Sequence, residues 1–328
     1  MRASLGLATV LLLVLLCSCV GGAGNSPEPS APAAGAPSTL PEGMGSGADD
    51  GVFPRTVTHF GGSTTIVAAP VRVAAISTGQ LDGLLSVDVV PVGATAARGA
   101  GTVPAYLTAA FPQHRAALAA MTRLGTRTEP DVEAVAAADP DLIVANSTVD
   151  GAVRTQFAQI APVVVTEGTG VNWKQDFLLL ADAVGRRQAA QTWLSSFATD
   201  AAALGDRVPD DPTVSLTSAA PDRVRVFGVA SFGGSILADT GLRRPDGQTF
   251  DDTSIDVSLE TLDRAGAEWI FYGVQGTSSD VVGSSVWTSL PAVAAGRAIA
   301  VDYDTWFLNA GPAAARRVLT ELEVALVG

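Results

Sequence analysis

This 328-residue sequence contains few of the side chains that metal binding and covalent catalysis require. It has two cysteines, two histidines and a single lysine, Lys174. Cys17 and Cys19 both lie near the N-terminus, so the rest of the chain has no thiol for a disulfide framework, a thiolate metal site or a nucleophile. His59 falls in a predicted hairpin and His114 in a loop, a placement that makes neither a zinc site nor a catalytic triad.

Positive charge and catalytic motifs are also scarce. The 20 lysines and arginines are outnumbered by 33 aspartates and glutamates, which leaves a net charge of −13. Nucleic-acid-binding proteins depend on a basic surface, so the charge argues against that class. The chain has no G-x-S-x-G elbow, no H-E-x-x-H motif and no G-x-G-x-x-G loop after a predicted strand. We therefore do not expect an enzyme.

The N-terminus has the pattern of an export signal. Arg2 precedes an apolar run over 5–16, which is shorter than the roughly 20 residues of a membrane span. The run ends in LCSC, which resembles the lipobox of bacterial lipoproteins with Cys19 as the lipidated residue. We expect residues 1–18 to be a signal peptide, and the mature protein to be lipid-anchored on the extracytoplasmic side of the cell membrane. The alternative is an ordinary secretory signal with two incidental cysteines.

The segment that follows is rich in glycine, proline, alanine and serine. Near its middle, Leu40 and Met44 are the only bulky apolar residues. A segment with so little apolar surface to bury does not fold on its own. We expect residues 19–54 to be a flexible tether, although an inert spacer would have the same composition.

The rest of the chain alternates short apolar strands with helical stretches. Near-continuous Val, Ile and Leu strands alternating with helices are typical of parallel sheets covered on both faces. We expect an α/β fold with two lobes, each a mostly parallel sheet flanked by helices, over 55–172 and 206–328. A single long crossing helix within 173–205 should join the lobes, with Gly185 separating it from a shorter helix.

Five sequence blocks carry a resemblance to a known family. They are RVAAIS at 72–77, RLGTRTEPDVEAVAAADPDLIV at 123–144, SFGGSIL at 231–237, VSLE at 257–260 and WTSLPAVAAGR at 287–297. Together they resemble the periplasmic binding proteins for ferric siderophores, haem and cobalamin, which serve ABC importers. The resemblance extends over the globular part and implies two parallel-sheet lobes joined by one long helix.

The resemblance implies a ligand that brings its own iron. A ferric siderophore already fills the oxygen shell of the metal, so no protein metal ligand and no cofactor are expected. The protein needs a cleft with aromatic walls and cationic or amide donors. Candidates in loops after predicted strands and near the crossing helix are Arg98, Tyr106, Asn146, Trp173, Ser231, Phe232, Gln275 and Trp306.

Several of these residues have a structural alternative. Trp173 and Trp306 could be packed in the interior, and Arg98 could be a solvated arginine of a glycine-rich loop. Haem is a second candidate ligand, since Tyr106 or Tyr303 could donate a phenolate to iron. Cobalamin is a third.

Glu133 and Glu260 each lie near the start of a predicted helix in a different half of the chain. The resemblance implies that one glutamate per lobe meets arginines of the membrane permease. A favourable interaction with the helix dipole would explain each residue without docking.

The sequence therefore predicts a monomeric binding protein with a small ferric chelate or haem and an ABC permease as partners. A third possibility is a cell-envelope protein that keeps the fold but has lost transport, since fold does not determine function.

Overall fold

The computed structural model describes residues 35–77, 79–97, 100–168, 170–220, 223–276 and 279–328. The predicted signal peptide, Cys19 and Arg98 lie outside the described residues. Among the helices of the described part, none combines the length and apolarity needed to cross a membrane.

Within the described residues, twelve strands form a hairpin and two five-stranded sheets. The strands are β1 Arg55–His59, β2 Gly62–Ile66, β3 Val73–Ala75, β4 Gly93–Ala96, β5 Thr122–Thr126, β6 Leu142–Asn146, β7 Val163–Thr166, β8 Val214–Ala219, β9 Val224–Phe227, β10 Ser254–Val257, β11 Trp269–Val274 and β12 Ala298–Ala300.

Eleven α-helices surround the sheets in the described part of the chain. They are α1 Gln80–Ser86, α2 Ala105–Ala110, α3 Arg115–Ala119, α4 Val132–Ala137, α5 Gly151–Phe157, α6 Trp173–Ala183, α7 Arg187–Gly205, α8 Phe232–Thr240, α9 Ser285–Thr288, α10 Pro291–Ala294 and α11 Pro312–Leu326. Short 3-10 turns cover Pro112–His114, Gly170–Asn172, Asp246–Gln248 and Leu259–Ala265, and a π-helical turn covers Asp304–Leu308.

The two larger sheets define two lobes and confirm the predicted α/β architecture. The N-lobe sheet has the order β5-β4-β3-β6-β7 and is parallel throughout. The C-lobe sheet has the order β10-β9-β8-β11-β12, in which β9 runs antiparallel to both neighbours. The central strands β3, β6 and β8 are buried along nearly their whole length, because helices cover both faces of each sheet.

The connection between the lobes is helical, as predicted. Helix α6 packs on α1 and β7 of the N-lobe, and α7 packs on α8 of the C-lobe. Gly185 separates the two helices in a left-handed conformation, with φ of 72°, that other residues rarely adopt. The terminal helix α11 then returns across the molecule and packs against α1.

The prediction of a flexible tether through residue 54 is wrong for its second half. Residues 35–54, which we call the strap, pack against the globular part. Ala36 is only 5% exposed, and Gly45 forms two backbone hydrogen bonds with Thr58 of β1, of 2.8 and 3.0 Å. The strap combines a few partly buried apolar side chains, Leu40, Met44 and Phe53, with backbone and small polar contacts, and such sparse packing leaves no hydrophobic pattern in the sequence.

Arg55 and Asp182 form a buried ion pair where the strap meets the linker helices. The Arg55 Nη1 atom lies 3.3 Å from Asp182 Oδ1 and 2.6 Å from the Asp182 carbonyl oxygen, and both side chains are 0% exposed. Ser46 of the strap donates to the same carboxylate through its backbone N–H and its hydroxyl, at 2.6 and 2.8 Å. Further along, Asp50 accepts the backbone N–H of Gln188 in the first turn of α7 at 3.1 Å. The strap therefore contacts both linker helices.

Replacement of Arg55 by leucine should lower the free energy of unfolding by about 3–5 kcal/mol, because Asp182 would be left as an unpaired buried charge. Urea denaturation followed by tryptophan fluorescence measures this loss. Arg207→Leu is the matched control, since Arg207 forms an exposed pair with Glu323 and its loss should cost less than about 1 kcal/mol. Equal losses in the two variants would contradict a structural role for the buried pair.

Candidate functional site

A large opening between the lobes lies where their parallel strands end. A cavity of about 670 Å³ is bounded by residues that follow β4 and β5 in the N-lobe and β11 and β12 in the C-lobe. Its lining includes Ala97, Ala100, Arg127, Tyr272, Gln275, Asp302, Tyr303 and Asp304. Ligands of open α/β sheets bind outside the carboxyl ends of the strands, and the volume is typical of small-molecule sites. We call this cavity the cleft.

Three arginines, one from the N-lobe and two from the C-lobe, act electrostatically on Tyr303, which lines the cleft. Burial raises the pKa of the Tyr303 phenol, and the positive charges of Arg225, Arg127 and Arg223 act in the opposite direction. Arg223 and Arg225, at the start of β9, share Asp256 at 3.3 and 3.1 Å. Arg127 is exposed and forms no ion pair within the described residues. Its guanidinium is therefore available to an anionic ligand.

Two carboxylates, Asp302 and Asp304, flank Tyr303 in the sequence and also line the cleft. Asp302 accepts hydrogen bonds from the backbone N–H of Thr305, at 2.8 Å, and from its hydroxyl, so it is committed to the turn before α11. Burial, and secondarily the charge of Asp302, raises the pKa of Asp304. The lining of the cleft thus combines the guanidinium of Arg127 with the carboxylates of Asp302 and Asp304.

Gln275 and Tyr106 remain candidate ligand contacts. Gln275 is exposed at the end of β11 and lines the cleft. Tyr106 lines the adjoining cavities, but its hydroxyl donates to Asp82 at 2.9 Å. Burial raises the pKa of this phenol well above 10, and the Asp82 carboxylate raises it further. Tyr106 is therefore a poor source of a phenolate for haem iron.

Asn146 lies at the end of β6, as expected, but its carbonyl oxygen is engaged locally. Oδ1 accepts the backbone N–H and the hydroxyl of Thr148, at 3.2 and 2.7 Å. The side chain borders a cavity of only about 30 Å³, roughly the size of one water molecule. Asn146 is thus separate from the open part of the cleft.

The interpretation of Trp173 and Trp306 as partly exposed cleft walls is wrong. Trp173 is 2% exposed, and its ring packs edge-on against Trp193, Phe197 and Phe232. Trp306 is 1% exposed, stacks on Phe271 with ring centroids 5.1 Å apart, and donates its indole N–H to Glu321 at 2.6 Å. Both indoles are core residues that hold helices against the sheets.

Ser231 and Phe232 are also structural rather than open to the cleft. Ser231 is 2% exposed and caps α8, where its hydroxyl accepts the Gly234 N–H at 2.9 Å and donates to the Gly228 carbonyl at 2.7 Å. Phe232 is 6% exposed and packs on Trp173. Their glycine turn resembled a ligand loop in sequence, but its hydroxyl and ring face inward.

Sequence reasoning missed Arg127, Arg223 and Arg225, the arginines whose charges act on Tyr303. Arg127 directly follows β5 within the block that carries the family resemblance, and it ends a strand like the other candidates. Arg223 and Arg225 alternate at the start of β9, a spacing that places both side chains on one face of a strand. The position after a strand was a usable signal for Arg127, whereas the approach of β9 to Tyr303 requires the tertiary structure.

Glu133 and Glu260 are exposed, one in each lobe. Glu133 lies in the first turn of α4, whose N-cap Asp131 accepts the Ala134 N–H at 3.0 Å. Glu260 lies in the first turn of the 3-10 helix that begins after Ser258. Both predicted helix starts are confirmed, and neither carboxylate is needed as the cap.

The described residues contain no group of three His, Cys, Asp or Glu side chains that could hold a metal ion. The site is therefore a polar interlobe cleft with charged walls, which is the arrangement of a two-lobed solute-binding protein.

Comparison with known proteins defines the family. The periplasmic binding protein family matches residues 73–305, and the chain belongs to it. The family consists of solute-binding proteins of transporters, not of enzymes.

Relatives and solved structures agree with this assignment. The chain is 29% identical over 292 residues to the probable siderophore-binding lipoprotein YfiY of Bacillus subtilis, covering 82% of this chain and 86% of that protein. It is 26% identical over 275 residues to the Fe(3+) dicitrate-binding periplasmic protein FecB of Escherichia coli, covering 82% and 89%. The structure of Staphylococcus aureus SirA complexed with staphyloferrin B matches with a TM-score of 0.70 at 24% identity, over 83% of this chain and 98% of that one, which shows a shared fold.

Proposed function

We propose that this protein is a lipid-anchored, extracytoplasmic solute-binding protein that captures a ferric siderophore and delivers it to an ABC importer. The observation that carries the proposal is the cleft at the ends of the parallel strands, which Arg127 of the N-lobe lines together with Gln275 and Tyr303 of the C-lobe. A ligand that bridges Arg127 and these C-lobe residues would contact both lobes at once. The names of YfiY and FecB support an iron chelate as the ligand.

The charges of the cleft favour an anionic, oxygen-rich chelate. Arginine donates paired N–H groups in a planar fork that matches a carboxylate, and such charge-assisted bonds are stronger than neutral ones. Carboxylates of a ferric chelate could therefore bind Arg127 without displacing a protein partner. Haem is less well supported, because of the two candidate tyrosines Tyr106 is committed to Asp82, which leaves Tyr303 in the cleft.

Replacement of Arg127 by glutamine should weaken the binding of ferric citrate by about 10- to 100-fold, the effect of losing one charge-assisted hydrogen bond. Quenching of tryptophan fluorescence during titration measures the dissociation constant. Arg207→Gln, which removes the same charge from an exposed ion pair with Glu323, should bind like the wild type. Titrations with a ferric hydroxamate and with haem complete the experiment. Binding of haem but of neither ferric chelate would favour a haem-binding protein over the siderophore proposal. Absence of binding to every ligand would favour an envelope protein without transport.

We further propose that Glu133 and Glu260 dock the two lobes on the permease. Both are exposed, lie on different lobes and are absent from the lining of the cleft. A carboxylate on each lobe would allow a cationic permease surface to contact both lobes at once.

The double variant Glu133→Ala/Glu260→Ala should bind ferric citrate normally but lose uptake, since removing a desolvated charge partner costs about 2–5 kcal/mol per site. Uptake of radioactive iron by cells that express equal amounts of protein measures delivery. Glu42→Ala, at an exposed glutamate of the strap, is the control. A helix-dipole role alone would give nearly normal uptake and a stability loss of about 0.3–1 kcal/mol per residue.

The lipid anchor can be tested separately. Cys19→Ala should move the protein from the membrane fraction to the soluble fraction, because no acyl chain would then be attached. Fractionation followed by immunoblotting measures the distribution. A variant that stays fully membrane-bound would contradict anchoring through Cys19.

A further inference from the structure

Asp82 is a buried carboxylate outside the cleft. It lies in α1 of the N-lobe, within the largely apolar run 80–85, and is only 1% exposed. Buried carboxylates need hydrogen-bonding partners for their oxygens. All four partners of Asp82 are donors, and two of them belong to the C-lobe.

The two C-lobe partners are the first N–H groups of the terminal helix α11. Pro312 at the first position has no N–H, and Gly311 at the N-cap has no side chain, so this helix cannot cap itself. Asp82 supplies the cap, because Oδ1 accepts the Ala313 N–H at 2.8 Å and Oδ2 accepts the Ala314 N–H at 3.0 Å. A helix of one lobe is thus capped by a side chain of the other.

The lobes approach each other too closely here to admit side chains at two glycines. A Cβ atom at Gly79 would lie 2.3 Å from the carbonyl oxygen of Ala310. At Gly311 it would lie 2.6 Å from the Cβ atom of Asp82. The contact between α1 and α11 therefore has a defined separation.

Tyr106 and the π-helical turn connect this contact to the cleft. The Tyr106 hydroxyl donates to Asp82 Oδ2, and Tyr106 borders the cavities that also contact Asp304. Asp304 and Tyr303 line the cleft and lie just before α11 in the sequence. A shift of α11 relative to α1 would therefore move a wall of the cleft.

We propose that Asp82 is a positioning residue for ligand capture: it holds the two cleft walls at the separation that the ligand requires, and protonation of its carboxylate releases this hold. The inference rests on the proposed function for its ligand, whereas the contact between the lobes exists without one.

The chemistry of the carboxyl group explains the release. A protonated carboxyl must donate one hydrogen bond, and the N–H groups of Ala313 and Ala314 cannot accept it, so the cap is weakened. Burial raises the pKa of Asp82 to about 6, while its hydrogen bonds act in the opposite direction. If the competent arrangement of the lobes becomes less populated, the apparent affinity falls in proportion.

Protonation of Asp82 should have opposite effects on ligand binding and on folding: it weakens binding but favours the folded state. The pKa of Asp82 in the folded protein lies above its ordinary value of 3.8, so the folded state binds the proton more tightly than the unfolded state. The stabilisation from this group is complete below about pH 3.8 and is lost as the pH rises through about 6. Acidification toward pH 5 should thus weaken binding without unfolding, which a merely structural role would not predict.

The other ionisable groups around Asp82 do not account for such a profile. Burial keeps the Tyr106 phenol neutral, and Asp302 and Asp304 act on Tyr106 rather than on Asp82. The charged side chains of the packed helices have other partners: Lys174 with Asp239, Asp182 with Arg55, Arg316 with Asp200 and Arg317 with Glu321. Burial raises the pKa of Asp176 in α6 to about 7, but its carboxylate accepts the N–H groups of Glu167 and Gly168, within the N-lobe.

The test compares Asp82→Asn with Asp176→Asn, a half-buried carboxylate whose hydrogen bonds lie within the N-lobe. Dissociation constants for ferric citrate are measured from pH 5 to pH 8, together with the melting temperature at each pH. Asp82→Asn should bind about tenfold more weakly at pH 7.5, the effect of one lost charge-assisted bond, and melt within a few degrees of the wild type. Between pH 7.5 and pH 5, the affinity of the wild type for ferric citrate should fall about tenfold relative to that of Asp82→Asn. The affinity of Asp176→Asn should change with pH as that of the wild type does. If the affinity of Asp82→Asn for ferric citrate depended on pH in the same way as that of the wild type, the proposal would be overturned.

A ligand-free measurement separates this proposal from the proposed function. Hydrogen exchange of the peptide that contains Ala313 and Ala314, corrected for intrinsic rates, should be faster at pH 5 than at pH 7.5 in the wild type and independent of pH in Asp82→Asn. Such exchange without any binding of ferric citrate would support the contact and reject that ligand. Normal binding with exchange that is the same in both proteins would overturn the positioning role.

Discussion

The buried pair of Arg55 and Asp182 is the interaction on which the arrangement of this molecule depends. It joins the strap and the first strand, which follow each other in the sequence, to the distant end of α6. Ionised groups without solvent are tolerated only when their remaining hydrogen-bonding capacity is used. Ser46 and the carbonyl groups of Asp49, Val52 and Asp182 provide those partners. The geometry of the pair therefore fixes how the strap lies on the linker.

The lobes are joined by more than the linker. Helices α6 and α7 form the covalent connection, and the return of α11 onto α1 adds a second contact at Asp82. The core is accordingly continuous across the lobes, since Trp173 and Trp306 belong to one cluster with residues of α1, α7 and α11. Two contacts of this kind resist hinge bending, which favours small adjustments of the cleft over a wide opening.

The sequence predicts the architecture much better than the side chains of the site. Alternating apolar strands and helices identify the two sheets, because burial on both faces leaves a periodic signal along the chain. Trp173 has no such signal, since Trp193, Phe197 and Phe232 reach it from two other helices. The same limit applies to Asp82, an acid in an apolar run whose two C-lobe partners lie more than two hundred residues away.

The packed strap also limits how far the binding protein can act from its membrane. Cys19, the proposed anchor, precedes Gly35, the first described residue of the strap, by sixteen residues. Whatever the conformation of that stretch, it cannot exceed about 55 Å when fully extended. Had the chain been free to residue 54, the limit would have been roughly twice as large. With Cys19 as the proposed anchor, the reach of the protein is therefore short, and the proposed permease would have to be met within a thin layer next to the bilayer.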